Sequence, residues 1–548
     1  MQILKSAFSN FLNIKFQITS FLRTIYYSSK YYHSSIESKK PKQFFFFPNS
    51  FLLSSFTNYK DFSVKMSDID PYSFWVKQKT KEEENNLHSF LWLNVLDRKN
   101  EAVIIRKIIE LWIEKNKRFN NMTWENTLTS KRIISWILNA DIILESSNHV
   151  FKEEFLNSII IQVNHLKKCS KFENDESKLI ELFSAILISG LVFKEYNENF
   201  QFGLKGIKKI IDDYFDGDGF PITRNPYYLL KFLKHFILIK ECTKEAQEII
   251  PEYLENILDK NLNCLKTIIT PDHKFPLFNG ATEINLEEFL NYLSKLNIKS
   301  KQIKKDIGSL KILKHKKDII YFDLGSPPPK RYSQFYQSGP LSFEYYYDGE
   351  KIITNSGFGR DLTSKNRLYS RLTSAQSTIC MSETSVVRFE KRKLIGENNN
   401  FLIDEKFKIN EENFVDNEEE QKITASHNAY LKKYDCKVKR EIILNKKTNN
   451  LIGTDEIKRE KYLNKIDYAI RFHIYPGVNV VKTISGESAL IQINKNKSLI
   501  FSAKGQELNI EKSVFFGRNK ILNSLCINIA SSLETKNKKI YWEIKKNI

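Results

Sequence analysis

At 548 residues the chain is too long for one ordinary hydrophobic core, so two or more domains are expected. A hydrophobic fraction of 41% with 27% charged residues is that of a folded globular protein and excludes disordered or collagen-like chains. The 85 Lys and Arg outnumber the 65 Asp and Glu, for a formal charge of +20, which fits either an acidic partner or a chain that simply uses lysine heavily. The lysines are scattered and no RNP-like, zinc-finger or helix-turn-helix signature accompanies them, so no specific nucleic-acid partner is expected.

From the N-terminus, residues 1–30 are basic and amphipathic, with Lys5, Lys15, Arg23 and Lys30 interrupting the apolar positions. Lys15 spoils a signal-peptide apolar region and no small-residue cleavage site stands out, so a packed helical arm is the reading for residues 1–73. No run reaches about 18 uninterrupted apolar residues, and no transmembrane segment is expected. Six widely spaced cysteines without a CxxC pair read as buried thiols.

Residues 74–305 carry a helical period. "NEAVIIRKIIELWIEKNKRF" puts Ile105, Ile108, Ile109 and Trp112 on one face, and similar segments follow on short Asn-, Asp- and Gly-marked connections. Trp112 and Trp136, among aliphatic residues, belong to the core. The loop "DYFDGDGFPITRNPYYLLKF" stands out: Asp216 to Gly219 forms a tight turn, Asn225 caps the next helix and Pro226 takes its first position. The turn lacks the later acidic ligands of a calcium loop.

Residues 306–548 change texture to alternating strands, as in "DIIYFDLGS", "ALIQINKNKSLIFSAKG" and "KKIYWEIKK". "YYYDGEKII" is a hairpin turning at Asp348-Gly349. "SRLTSAQSTICMSETSVVRF" reads as two strands on a tight connection, with Gln376 near the middle of the first. Helices first and strands second give a multidomain α + β chain whose second half is a large antiparallel β-sandwich.

The order of these segments resembles the heparinase II/III-like polysaccharide lyases, in particular a diverged bacterial branch. The resemblance rests on "DLGSPPPKRYSQFYQSGPLSFEYYYDGEKIITNSG", "RLTSAQSTICMSETSVVRF", "TASHNAY", "YAIRFHIYPGV" and "LNIEKSVFFGR", with "HSFLWL", "DGDGFPITRNP" and "PLFNG" in the helical half. It implies an incomplete (α/α) toroid of helical hairpins before the sandwich, and β-elimination on an acidic, uronate-containing polysaccharide. It also implies a cell-envelope or periplasmic setting, or a cytoplasmic one if the N-terminus is no export signal.

That chemistry needs a neutralised substrate carboxylate, a base for the C5 proton and an acid for the leaving oxygen. By resemblance, "RNPYYLL" puts Tyr228 on the lyase tyrosine, and Gln376 stands where active relatives have a strand histidine. Glutamine hydrogen-bonds but exchanges no proton near neutral pH. The family's neutralising Asn-His pair would fall near Ser177 and Lys178, which do not match it. Candidate substrate contacts are Arg224, Asn225, Arg371, Arg388, His88, Trp92 and Asn279. The proton transfers require no cofactor, and His427 with His473 are candidate ligands of a structural zinc. Two alternatives stand beside the lyase: a glycan-binding or envelope-associated protein that kept the fold without the catalytic set, and a charge-driven polyanion binder.

Overall fold

The computed structural model describes residues 18–19, 21–57, 70–75, 80–96, 102–391, 401–403, 406–461 and 465–547. Lys5, Lys15 and much of the expected 1–73 arm lie outside them. The chain divides into two compact units, and the second draws Asp216–Leu229 and Asn263–Glu287 out of the helical half to join Ser300–Ile548.

The first unit is built of helices. Glu176–Val192 is apolar almost all round and buried along its length, as a helix surrounded by others must be. It packs on Asn126–Leu138, His149–Cys169 and Asn197–Tyr214. Glycine sets the closest of these approaches: a Cβ on Gly203 would stand 2.6 Å from Leu187 Cβ, so any side chain there forces the two helices apart. Trp112 and Trp136 are core residues as expected, edge to face at 5.3 Å. The arm is helical in part: Ser29 caps Lys30–Ile36, where Tyr32 and Ile36 are buried, and residues 37–49 run without regular structure into the 3-10 turn Ser50–Ser55. No helix among the described residues is long and apolar enough to cross a membrane, and all six cysteines are buried and unpaired.

The second unit is a sandwich of antiparallel sheets. One sheet runs Asp306–Ile307, Leu310–His315, Asp318–Asp323, Phe343–Tyr347, Glu350–Thr354, Ile466–Ile474, Ile521–Leu533, Asn509–Phe516, with Ile379–Met381 also paired to Ile466–Ile474. The other runs Asn479–Lys482, Ser488–Asn494, Lys497–Ser502, Asn537–Lys546, Leu451–Arg459, Cys436–Asn445, Glu420–His427, Ile409–Asp416. Strict alternation explains the packing: every second residue of Cys436–Asn445 is buried, so Val438, Ile442 and Leu444 enter one core with Phe343, Ile353 and Phe472 of the facing sheet. Trp542 lies flat on Phe343 at 5.6 Å, and a Cβ on Gly453 would meet its ring at 2.0 Å.

Arg440 occupies an inward position of the same strand. Its guanidinium is matched twice to Asp455, at 2.6 and 3.0 Å, and donates to the carbonyls of Leu341 and Ser377. A charge this deep is tolerable because the carboxylate pairs with it and four of its five N–H donors are answered.

Two readings of 370–389 change. Thr373–Ala375 is a 3-10 turn, and the regular strands shrink to Ile379–Met381 and Phe389–Lys391. Gln376 therefore sits after a turn, at its C-cap, and outside any strand. The small polar residues turn inward to bond carbonyls of segments distant in sequence. Ser377 Oγ donates to Thr354 O at 2.6 Å and Thr378 Oγ1 to Pro340 O at 2.7 Å. The Asp348-Gly349 hairpin forms as read, with φ of 52° and 85°.

Candidate functional site

The candidate residues of the second unit gather around the start of the helix Pro226–Glu245. Asp216 organises the preceding turn: its Oδ1 accepts from the backbone of Asp218 at 3.0 Å and of Phe220 at 2.8 Å. Burial pushes the Asp216 carboxyl up from its ordinary value. The chain then passes through Arg224 at φ 61°, and Asn225 Oδ1 accepts from Tyr227 N at 2.9 Å to cap the helix.

Arg224 is a structural residue here, which revises its place among the substrate contacts. It is buried, pairs with Asp323, and donates to the carbonyls of Gly308 and Ser326, both at 3.3 Å. Burial raises the Asp323 carboxyl while Arg224 pulls it the other way. Gly325 has no alternative, because a Cβ there would stand 1.6 Å from Arg224 Cζ. The fork thus locks the loop that delivers Asn225 and Tyr228.

Asn225 points its amide nitrogen at the turn that carries Asn279. A Cβ on Gly280 would lie 3.0 Å from Asn225 Nδ2, and Gly280 itself takes φ 88°. Asn225 Nδ2 and both amide atoms of Asn279 are buried and lack a hydrogen-bond partner. Orphaned buried amides cost about 1–3 kcal/mol each, so such a concentration calls for water or a ligand to complete it.

Gln337, which the sequence reading missed, ties this turn to the Gln376 segment. Its Oε1 accepts from Gly280 N at 2.9 Å, and its Nε2 donates to Gly357 O at 3.0 Å and Ser370 O at 2.9 Å. Gln376 Nε2 donates to the same Ser370 O at 2.9 Å and to Leu372 O at 3.3 Å. Nothing in "RYSQFYQSG" marks Gln337 apart from Gln334, since the distinction comes only from which side of the chain turns inward.

Arg371 is likewise structural: its Nε and Nη2 donate to Tyr336 O at 2.7 Å and Ser333 O at 2.8 Å, and burial brings its pKa down to about 9. With two of its donors taken up by these carbonyls, it orders the segment that carries Gln376. Arg388 is exposed.

The aromatic part of the site holds Tyr227, Tyr228, Phe335 and Phe358. Tyr228 is buried, its ring 5.9 Å from Phe335 and 5.6 Å from Tyr227. Over Tyr227 lies a second residue that sequence reading missed: Arg360 Cζ is 3.6 Å from that ring's centroid and 5.6 Å from Phe335. Its half-buried guanidinium lies face-on to the aromatic cluster.

In the first unit, Trp92 is 1% exposed and donates to Leu87 O at 3.0 Å, a core role that revises its place among the sugar contacts. His88 Nδ1 accepts from Trp112 Nε1 at 2.9 Å, and its ring stacks on Trp75 at 5.2 Å. The two sandwich histidines do not assemble a metal site. His427 lies on Glu420–His427 of one sheet and His473 on Ile466–Ile474 of the other. His473 Nε2 donates to Ser374 O at 2.9 Å, and its Nδ1 faces the hydroxyls of Ser356 and Ser513, both at 3.2 Å. No cluster of three His, Cys, Asp or Glu side chains able to hold a metal occurs among the described residues.

Two family models match the chain in succession. The family model of the heparinase II/III N-terminus matches residues 54–302, and that of the heparinase II/III-like C-terminal domain matches residues 306–543. A crystal structure of heparinase III superposes with a TM-score of 0.67 at 13% identity, covering 91% of this chain and 85% of that one. The heparan sulfate lyase HepC of Pedobacter heparinus gives 0.64 at 15% identity, over 86% and 77%. These similarities show the fold: an incomplete toroid of helical hairpins followed by antiparallel sheets. No curated protein sequence matches.

Proposed function

The chain belongs to the heparinase II/III-like family, and from that premise we propose that it cleaves an acidic, uronate-containing polysaccharide by β-elimination. The observation that carries this reading is the set of unpartnered amide atoms of Asn225, on the cap that precedes Tyr228, and of Asn279, on the turn whose Gly280 faces that cap. Amide N–H groups of this kind neutralise a substrate carboxylate without titrating, and in a dry site they act at full strength. Arg360 adds the positive charge.

With the carboxylate held, the C5 proton is acidified. Tyr228, as phenolate, takes that proton; the C5 electron pair forms the C4–C5 double bond and the C4–O bond breaks. The proton on Tyr228 then passes to the leaving glycosidic oxygen, returning the residue to its starting state. Gln376 cannot share this transfer; its two bonds to Ser370 O and Leu372 O give it a positioning role.

A panel of acidic glycans tests the reading through the ultraviolet absorbance of the unsaturated uronate product, wild type against Tyr228→Phe. We expect absorbance to rise on at least one glycan and the variant to abolish it. Binding without any rise would favour the second reading, a glycan-binding protein on a lyase fold. That alternative draws its support from Gln376, whose amide cannot titrate.

A further inference from the structure

We propose a second, non-catalytic site for the anionic polymer: a lysine-lined groove of the sandwich unit that takes sulfated or carboxylated sugar units. The proposal rests on the reading of the substrate as an acidic glycan. The groove, about 800 Å3, runs between the segment Lys266–His273 and the hairpin of Leu310–His315 and Asp318–Asp323. That volume falls in the range of about 300–1,000 Å3 typical of ligand sites.

Its lining holds six lysines, Lys266, Lys304, Lys305, Lys314, Lys316 and Lys317, against one acid, Asp348. Asp348 is shared, pairing with Lys317 at 3.1 Å and with Lys497 at 2.5 Å from outside the groove. Lys304 pairs with Asp218, and Lys305 with Asp416, which also holds Lys446. Among the described residues Lys266, Lys314 and Lys316 have no acidic partner, and all three are exposed. Clustered uncompensated cations repel one another and are stabilised by a polyanion.

The hairpin turn strengthens the case. His315 pairs across to Asp318, so Lys316 and Lys317 form a two-residue turn, and Lys316 adopts φ 49°. Such positions favour Asn or Gly, because an ordinary side chain is strained there. Charge is thus placed at the groove rim against local preference. The chemistry favours a glycan over single-stranded nucleic acid, because the groove's tyrosine presents no open face for base stacking. Tyr321 is 2% exposed, its hydroxyl donating to Ile269 O at 3.1 Å.

The test measures binding in the Tyr228→Phe background, so that cleavage does not interfere. The probes are a fluorescent heparin-derived octasaccharide and a single-stranded oligodeoxynucleotide of matched charge. We expect Lys266→Glu/Lys314→Glu/Lys316→Glu to weaken octasaccharide binding at least about tenfold and to lower the log–log salt slope by about 2. The milder triple glutamine variant should show the same trend with an unchanged melting temperature. Unchanged octasaccharide affinity in both variants overturns the proposal. Equal affinity for the oligodeoxynucleotide, lost in parallel, overturns it in favour of a general polyanion surface. Failure of the lyase reading would show separately, as absence of the unsaturated product with this binding intact.

Discussion

Replacing Arg224 by Met removes a guanidinium that makes an ion pair with Asp323 and donates to two carbonyls, while leaving a side chain of similar length. Asp323 would keep only its bond from Gly325 N, at 2.8 Å, for a buried carboxylate. Breaking a buried pair from one side costs about 3–5 kcal/mol. For a unit of this size each kcal/mol lowers the melting temperature by about 2 °C, so a fall of about 6–10 °C is expected. Adding Asp323→Leu removes the stranded charge, and the double variant should regain about 2 kcal/mol or more of that loss. Gly325→Ala should imitate Arg224→Met, since its Cβ would occupy the guanidinium position. Two units in one chain make global unfolding a poor two-state measure, so amide hydrogen exchange at residues 225–229 is the sharper assay. Protection there should fall before it falls in strand Cys436–Asn445. A loss under about 1 kcal/mol, or strict additivity in the double variant, would refute the positioning role assigned to the pair.

Two more outcomes follow from the site and its surroundings. Arg360→Gln should raise KM for the acidic glycan about tenfold or more, with kcat changed less, because a cation that holds the carboxylate in ground and transition states alike contributes uniform binding. Equal loss in kcat would assign Arg360 to the transition state instead. Stability should fall as pH drops from 6.5 toward 4, because burial lowers His473 to about 4 and His427, His165 and His235 to about 3. The unfolded chain binds more protons in that window, so each such histidine contributes stability that is complete above pH 6.5 and is lost as pH falls, by at most about 1.4 kcal/mol per pH unit. His473→Gln should shallow the slope by one proton, read by denaturant unfolding across that range.

The sequence carried the architecture because periodicity is local. Ile105 to Trp112 and Val438 to Leu444 declare their faces within a few residues, and Asn225-Pro226 declares a helix start. The site was only partly legible. Asn225 was read as a cap from one punctuated loop and Tyr228 was placed by resemblance, whereas the carbonyl and carboxylate partners that hold Arg224 and Arg371 lie far away in sequence and could not be read from it. The 370–378 segment misled for a related reason. Its hydroxyls bond carbonyls that only the fold brings to them, Ser377 to Thr354 O and Thr378 to Pro340 O, so its alternation of polar and apolar residues marks no strand face. Gln337 and Arg360 left no local trace at all, because their roles are defined by Gly280, Ser370 and Tyr227, which the fold alone brings to them.

The frame around Gln376 also limits how its missing proton exchange could be compensated. The nearest histidine in hydrogen-bond terms is His473, joined to Ser374 O through Nε2 and to Ser377 Oγ through its backbone N–H. With Nε2–H donating to a carbonyl, Nδ1 must accept from Ser356 and Ser513, so the ring is fixed as the neutral tautomer and both nitrogens are occupied. Burial then takes its pKa to about 4, too low for a base poised near neutrality. His473 therefore orders the segment and cannot stand in for a histidine at position 376. If the proposed elimination takes place, the phenol of Tyr228 must serve as both base and acid, with neutral amides and one guanidinium supplying the electrostatics. Such a site gains its rate from lowering the acidity barrier at C5 rather than from a second titrating group, which puts the chemical weight on Asn225 and Asn279, with Arg360 holding the substrate.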